Sequence, residues 1–196
     1  MADQDPIIIA DAGPLIRLAA AGLLDSMRLT NRRIVLVDRI EEEVCGDPSK
    51  PFASEISAWI VSMNDAIEHA ETLEGIAINA LRQRAVDPLD QQKLKRAMRN
   101  SREQAIREYV ETINPQDADE ALVLYEDGAV PSLMAAATVP MTLMSTRAFV
   151  RMIAERGYNR DAVRALETIA SLYNLKPVVT RHRSQRCGRL AASLRK

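Results

Sequence analysis

Cysteine, histidine, glycine and aromatic residues are all scarce in this 196-residue chain, and each scarcity closes off a class of function. Two cysteines, Cys45 and Cys187, cannot form a disulfide framework, so a reducing compartment is expected. Two histidines, His69 and His182, argue against a histidine-rich zinc site or a serine–histidine triad. Aromatics make up 4% of the chain, too few for a surface that stacks on bases. The longest apolar stretches, Leu18 to Leu24 and Ser132 to Met144, are too short or too broken to cross a bilayer. The first five residues are acidic and lack the basic segment of a secretory signal. A cytoplasmic protein with no membrane association is the expectation.

What is present is ordinary globular material, 47% apolar and 27% charged, in an amount that suits one domain. Charge is unevenly placed. The segment Arg82 to Arg107 has eight basic residues and three acids, and Arg181 to Lys196 has six basic residues and no acid. With a total of −1, the rest of the chain carries −12. Such a chain repels polyanions at one place and attracts them at another. A single domain over residues 1–180 is expected, with a helical insertion at about 50–100 and a basic tail at 181–196.

The apolar run Pro6 to Ala10 reads as a strand buried on both faces. It ends at Asp11, and Gly13-Pro14 opens a helix carrying Leu15, Ile16, Leu18, Ala19 and Leu23. Ile34 to Val37 repeats the pattern, with Asp38 as the cap of a helix over Arg39 to Val44. Ile56, Trp59, Ile60 and Met63 predict a helix from about Phe52, and Ala66 to Ala70 a short edge strand. Helical spacing continues from Thr72 to Val110, broken at Asp87-Pro88, with Ser101 as the cap of its last helix. Further strands are predicted at Ala121 to Tyr125 and Val139 to Met144, helices at Arg147 to Arg156 and Arg160 to Leu175, and a strand at Lys176 to Thr180. This alternation predicts an α/β fold of three layers, its central sheet mainly parallel and flanked by helices.

In such sheets, ligands bind beyond the carboxyl ends of the strands, where strand order reverses. Asp11 follows the first strand, and Glu126 and Asp127 follow the strand ending at Tyr125. Glu43 lies in the helix after the second strand, and Glu103 begins a later helix. Carboxylates gathered this way repel one another unless protonated or neutralised. A hard dication such as Mg²⁺ or Mn²⁺ resolves the conflict and suits phosphodiester hydrolysis.

The same residues resemble the PIN-domain nucleases, including VapC-like toxins. Ile8-Ile9-Ala10-Asp11-Ala12-Gly13-Pro14-Leu15-Ile16 is similar to the family's opening strand, first acid and helix. Val35 to Val44 resembles the second element, its acid at Glu43, and Arg102-Glu103-Gln104-Ala105-Ile106 the third, with arginine where glycine is common. Leu122 to Asp127 matches the strand ending in paired acids, and Met144-Ser145-Thr146 with Phe149 the late strand whose hydroxyls border the metal. The chain departs in having Glu103 where aspartate is commoner and a longer stretch from Gly46 to Ser101.

The resemblance implies a three-layer PIN-like fold and an Mg²⁺- or Mn²⁺-dependent endoribonuclease leaving 5′-phosphate and 3′-hydroxyl ends. It also implies a homodimer and, for toxin members, a small antitoxin. Asp11, Glu43, Glu103 and Asp127 are the expected catalytic residues. Asp11, Glu103, Asp127 and Glu126 are the expected metal ligands, with Thr146 and Ser145 in support. Arg17, Arg96, Arg99 and Arg102 are the expected RNA contacts.

Plainer readings stand beside these. Asp11 can be a helix cap, and Glu103 can favour the positive end of its helix. Glu42 can replace Glu43, and Asp117, Asp119 or Glu120 can supply the third carboxylate. Arg17 can pair with an acid, Trp59 reads as core and His69 as structural. A catalytically degenerate scaffold or RNA-binding subunit is the alternative function. A haloacid-dehalogenase-type phosphatase would need an aspartate where Gly13 stands, and a nucleotide-binding oxidoreductase more than that one glycine.

Overall fold

Ile7, Ile8 and Ile9 are fully buried, as a continuous β-branched run in a sheet covered on both faces must be. The computed structural model describes residues 6–116, 118, 120–126, 138–159 and 161–172. Five strands form one all-parallel sheet: β1 (Ile7–Ala10), β2 (Arg33–Val37), β3 (Ile67–Ala70), β4 (Ala121–Tyr125) and β5 (Met141–Ser145). Their spatial order is β3-β2-β1-β4-β5. β1 and β4 sit inside, almost wholly buried, and β3 and β5 form the half-exposed edges.

The flanking helices are α1 (Ala12–Ala20), α2 (Asp38–Cys45), α3 (Ala53–Met63), α4 (Leu73–Arg84), α5 (Pro88–Ala97), α6 (Ser101–Thr112), α7 (Thr146–Glu155) and α8 (Ala162–Leu172). No helix among the described residues is long and apolar enough to cross a membrane. α1 packs against α2, α3, α7 and α8, while α4 packs against α5 and α6. α2 touches both groups. The connection from β1 leads to β2 on one side, and that from β4 leads to β5 on the other. The right-handed rule puts α1, between β1 and β2, on one face and α4 to α6, on the return from β3 to β4, on the other. The reversal falls between β1 and β4, and the carboxyl ends of the strands at such a reversal are where open parallel sheets bind ligands.

The predicted elements are present with shifted ends. β5 starts two residues later than expected, and α1 starts at Ala12, with Pro14 in its first turn as expected. The span from 50 to 100 is not purely helical, because β3 within it pairs with β2. Asp38 and Ser101 are not caps but the first residues of their helices, following Val37 and Asn100. Trp59 is core, its indole N–H donating to Asp25 at 3.2 Å, and His69 lies beside Glu41 on the edge strand at 2.8 Å. The strand expected at Lys176 to Thr180 and the tail from Arg181 lie outside the described residues.

Asp38 has a larger role than capping. Its carboxylate accepts from the Thr72 N–H at 3.1 Å and the Thr72 hydroxyl at 2.9 Å. Thr72 in turn caps α4 by accepting from the Gly75 N–H at 3.0 Å. The junction after β2 is thus tied to the start of α4. A Cβ on Gly75 would stand 1.8 Å from an Asp38 oxygen, so this close approach admits only glycine. Gly75→Ala is expected to break the clamp and cost about 1–3 kcal/mol, the range for overpacking, read as a lower urea midpoint with an unchanged slope.

Candidate functional site

Asp11 is the first residue beyond β1, and its N–H donates to the Leu124 carbonyl at 3.0 Å, carrying the β1–β4 ladder one step past the strand. It stands at the N-cap of α1, yet its side chain makes no capping hydrogen bond. The plain helix-cap reading therefore does not account for it. The side chain is 5% exposed, and its Oδ1 has no hydrogen-bond partner. Burial pushes the Asp11 carboxyl up from 3.8 to about 6, against the opposing pull of the Ala12 N–H and the Arg102 guanidinium. The charges of Glu103 and Glu43 push in the same direction as burial. Residues from α1, α2 and α6 thus act on one carboxylate.

Glu103 lies in the first turn of α6, 7% exposed, with Oε2 unpartnered. The helix dipole favours a carboxylate there, but an unsatisfied buried oxygen remains costly. Glu43 is not free. Arg102 grips it in a two-pronged pair, Nε to Oε2 at 2.8 Å and Nη1 to Oε1 at 2.9 Å. Arg102, expected on RNA, is therefore engaged within the site. Glu42, the fallback for Glu43, is held by Arg39 and Arg82 instead.

Glu126 leaves β4 and leans over the first turn of α1, so close that a Cβ on Gly13 would lie 3.1 Å from its own Cβ and Cγ. Its Oε1 accepts from the Thr146 N–H at 3.2 Å, and its Oε2 is 3.5 Å from Arg17 Nε. Arg17 thus takes the acid-pairing role among those weighed for it. Ser145 and Thr146 divide the labour expected of them. Ser145 caps α7 by accepting from the Ala148 N–H at 3.3 Å, whereas the Thr146 hydroxyl is fully buried and has no partner.

Arg96 and Arg99 are exposed, on α5 and in the turn after it. Asp127, Asp117 and Asp119 lie outside the described residues. Glu120 does not join the site. It precedes β4, at the amino edge of the sheet, where it accepts from Arg32 at 2.9 Å and from the Thr142 hydroxyl at 3.2 Å. That corrects its candidacy as the third carboxylate.

Among the described residues, no three His, Cys, Asp or Glu side chains are arranged as a ligand set. The reason is visible in the partners: Glu43 faces Arg102, and Glu126 faces Arg17 and a backbone N–H. The unsatisfied atoms nevertheless have a pattern. Among the described residues, the buried side-chain polar atoms without a hydrogen-bond partner are Asp11 Oδ1, Glu103 Oε2, Glu126 Oε2 (which has only the 3.5 Å ion pair with Arg17) and Thr146 Oγ1 at the carboxyl edge, and Arg32 Nη1 at the other. All four edge atoms are hard oxygens, the donors that Mg²⁺ and Mn²⁺ prefer. On that count the residues fit a dication.

Reasoning from sequence missed Arg39, which is 5% exposed and donates to the Ser101 hydroxyl at 3.3 and 3.2 Å. Its i,i+3 spacing to Glu42 was the available signal. It also missed Glu108, whose two oxygens accept from the Leu73 and Glu74 N–H groups at 2.6 and 3.0 Å and close the start of α4. Compared with protein-family models, curated proteins and solved structures, the chain matches none.

The raised Asp11 pKa fixes a sign. The folded state holds this proton to about pH 6 while the unfolded chain releases it near 3.8, so metal-free stability falls as pH rises through that window and then levels off. Two units correspond to about 3 kcal/mol. Asp11→Asn is expected to remove this loss: in chelator, its melting temperature exceeds that of wild type by several degrees at pH 7.5, and the gap closes at pH 4. Parallel pH profiles for the two proteins would contradict the burial of a charge here.

Proposed function

We propose that this chain is a Mg²⁺- or Mn²⁺-dependent endoribonuclease of the PIN type, acting as the toxin of a toxin–antitoxin pair. The observation that carries the reading is the set of buried side-chain oxygens without a hydrogen-bond partner in Asp11, Glu103 and Thr146, beside Glu126 at the reversal of strand order. In this reading the dication is held by Asp11 and Glu103, with Glu126 and Asp127 from the end of β4. When bound, the ion supplies Lewis-acid polarisation of the scissile phosphate and offsets charge developing on it.

The chain's own groups do the rest. Glu43 orients the attacking water and takes its proton once Arg102 withdraws. Thr146, its buried hydroxyl uncommitted, supports the dication site from the start of α7. Arg17 holds Glu126 in place from α1. Arg96 and Arg99 on the exposed basic side attract the RNA backbone through charge, without base stacking. A homodimer, a small antitoxin partner and a cytoplasmic setting without membrane contact complete the proposal.

One observation favours a second reading. The two-pronged Arg102–Glu43 pair neutralises a would-be catalytic acid, as a degenerate scaffold or RNA-binding subunit would permit. The two readings separate by experiment. The nuclease reading expects Asp11→Asn to abolish cleavage of single-stranded RNA while the protein stays folded. It also expects millimolar Mg²⁺ or Mn²⁺ to raise the melting temperature of wild type, as any ligand of the native state does. An uncleaved substrate and a melting temperature indifferent to both ions would leave the scaffold reading in possession.

A further inference from the structure

We propose that Arg102 is a resident counter-cation of this centre, competing with the dication for the same carboxylates and setting the concentration at which the ion enters. The inference rests on the reading of the carboxyl edge as a dication site. Arg102 stands on α6 and Glu43 on α2, so their pair closes across the site rather than along one helix. Both prongs of the guanidinium are used on Glu43, at 2.8 and 2.9 Å. The same guanidinium also favours the ionised form of Asp11, so it serves two acids from different elements. Its own neighbour in the chain is Glu103, whose Oε2 remains unpartnered.

Exposure decides between a permanent strut and an exchangeable ion. The side chains of Arg102 and Glu43 are 30% and 32% exposed, respectively. A pair open to water gains little net energy and is broken at little cost, whereas a buried pair is not. Arg39, on the same helix as Glu43, shows the contrast: it is 5% exposed and tied to Ser101 as well as Glu42. Arg39 is built to stay, and Arg102 is built to move. A dication brings two charges to a group of acids where the guanidinium brings one. The two cations also repel at this range, so each lowers the affinity of the other. Once displaced, Arg102 is a free guanidinium at the lip of the centre, with the geometry to grip a phosphate in two places.

The test is a Mn²⁺ titration followed by melting temperature, on wild type, Arg102→Gln and Arg102→Lys, in the absence of RNA. Competition expects the midpoint of Arg102→Gln to fall by at least about threefold, while Arg102→Lys, which keeps the charge, stays near wild type. A midpoint that is unchanged or higher in Arg102→Gln would mean that Arg102 only braces Glu43, and would overturn the inference. Equal tightening in the lysine variant would do the same, because charge would then not be the cause. Wild type and both variants all failing to respond to Mn²⁺ would instead remove the dication reading beneath it.

Discussion

Taking carboxylates out of water is the constraint that organises this molecule. Asp11 and Glu103 are each under a tenth exposed, and each keeps an oxygen to which no described residue donates a hydrogen bond. The fold could have relieved both with a backbone N–H or an arginine, as it did for Glu42, Glu108 and Glu120. Leaving them unrelieved at the one point where sheet connections change direction concentrates the energetic cost at a single edge of the sheet. The five parallel strands, with β1 at the centre between β2 and β4, are what hold that edge rigid. Rigid neighbours stop the acids from swinging away to solvent.

The acids near this edge differ mainly in which cation they meet. Glu42 and Glu43 are adjacent on α2, yet one is held by Arg39 and Arg82 and the other by Arg102. Glu126, beyond β4, is steadied by Arg17 and the Thr146 N–H. Arginine is therefore the structural complement of this edge. Some of those arginines are packed in, and some reach their partner from the solvent side. That difference separates wall from gate.

The layer architecture was legible because runs such as Ile7–Ala10 and Ala121–Tyr125 have no polar interruption, and only a sheet covered on both faces has use for them. Asp11 was legible for a related reason: an acid ending such a run must sit at a strand's carboxyl end. Partner choice was not legible. Nothing in the order Arg39, Glu42, Glu43 and Arg102 says which guanidinium finds which carboxylate, since that depends on how α2, α4 and α6 converge in space. The helix starts were misjudged for a similar reason. Asp38 and Ser101 have the chemistry of caps, but tertiary partners recruited them, Thr72 for one and Arg39 for the other.

One helix stands apart from all of this. α5 buries no residue along Pro88–Ala97, so no side chain of the core depends on its sequence. It is stapled at its start by Asp87, which accepts from the Asp90 N–H at 2.8 Å, and otherwise presents Lys93, Lys95 and Arg96 to water. Selection can rewrite such a segment residue by residue with little penalty to folding. The protein thereby owns a stretch whose electrostatic character can drift toward new clients while the acids at the carboxyl edge of the sheet are left untouched.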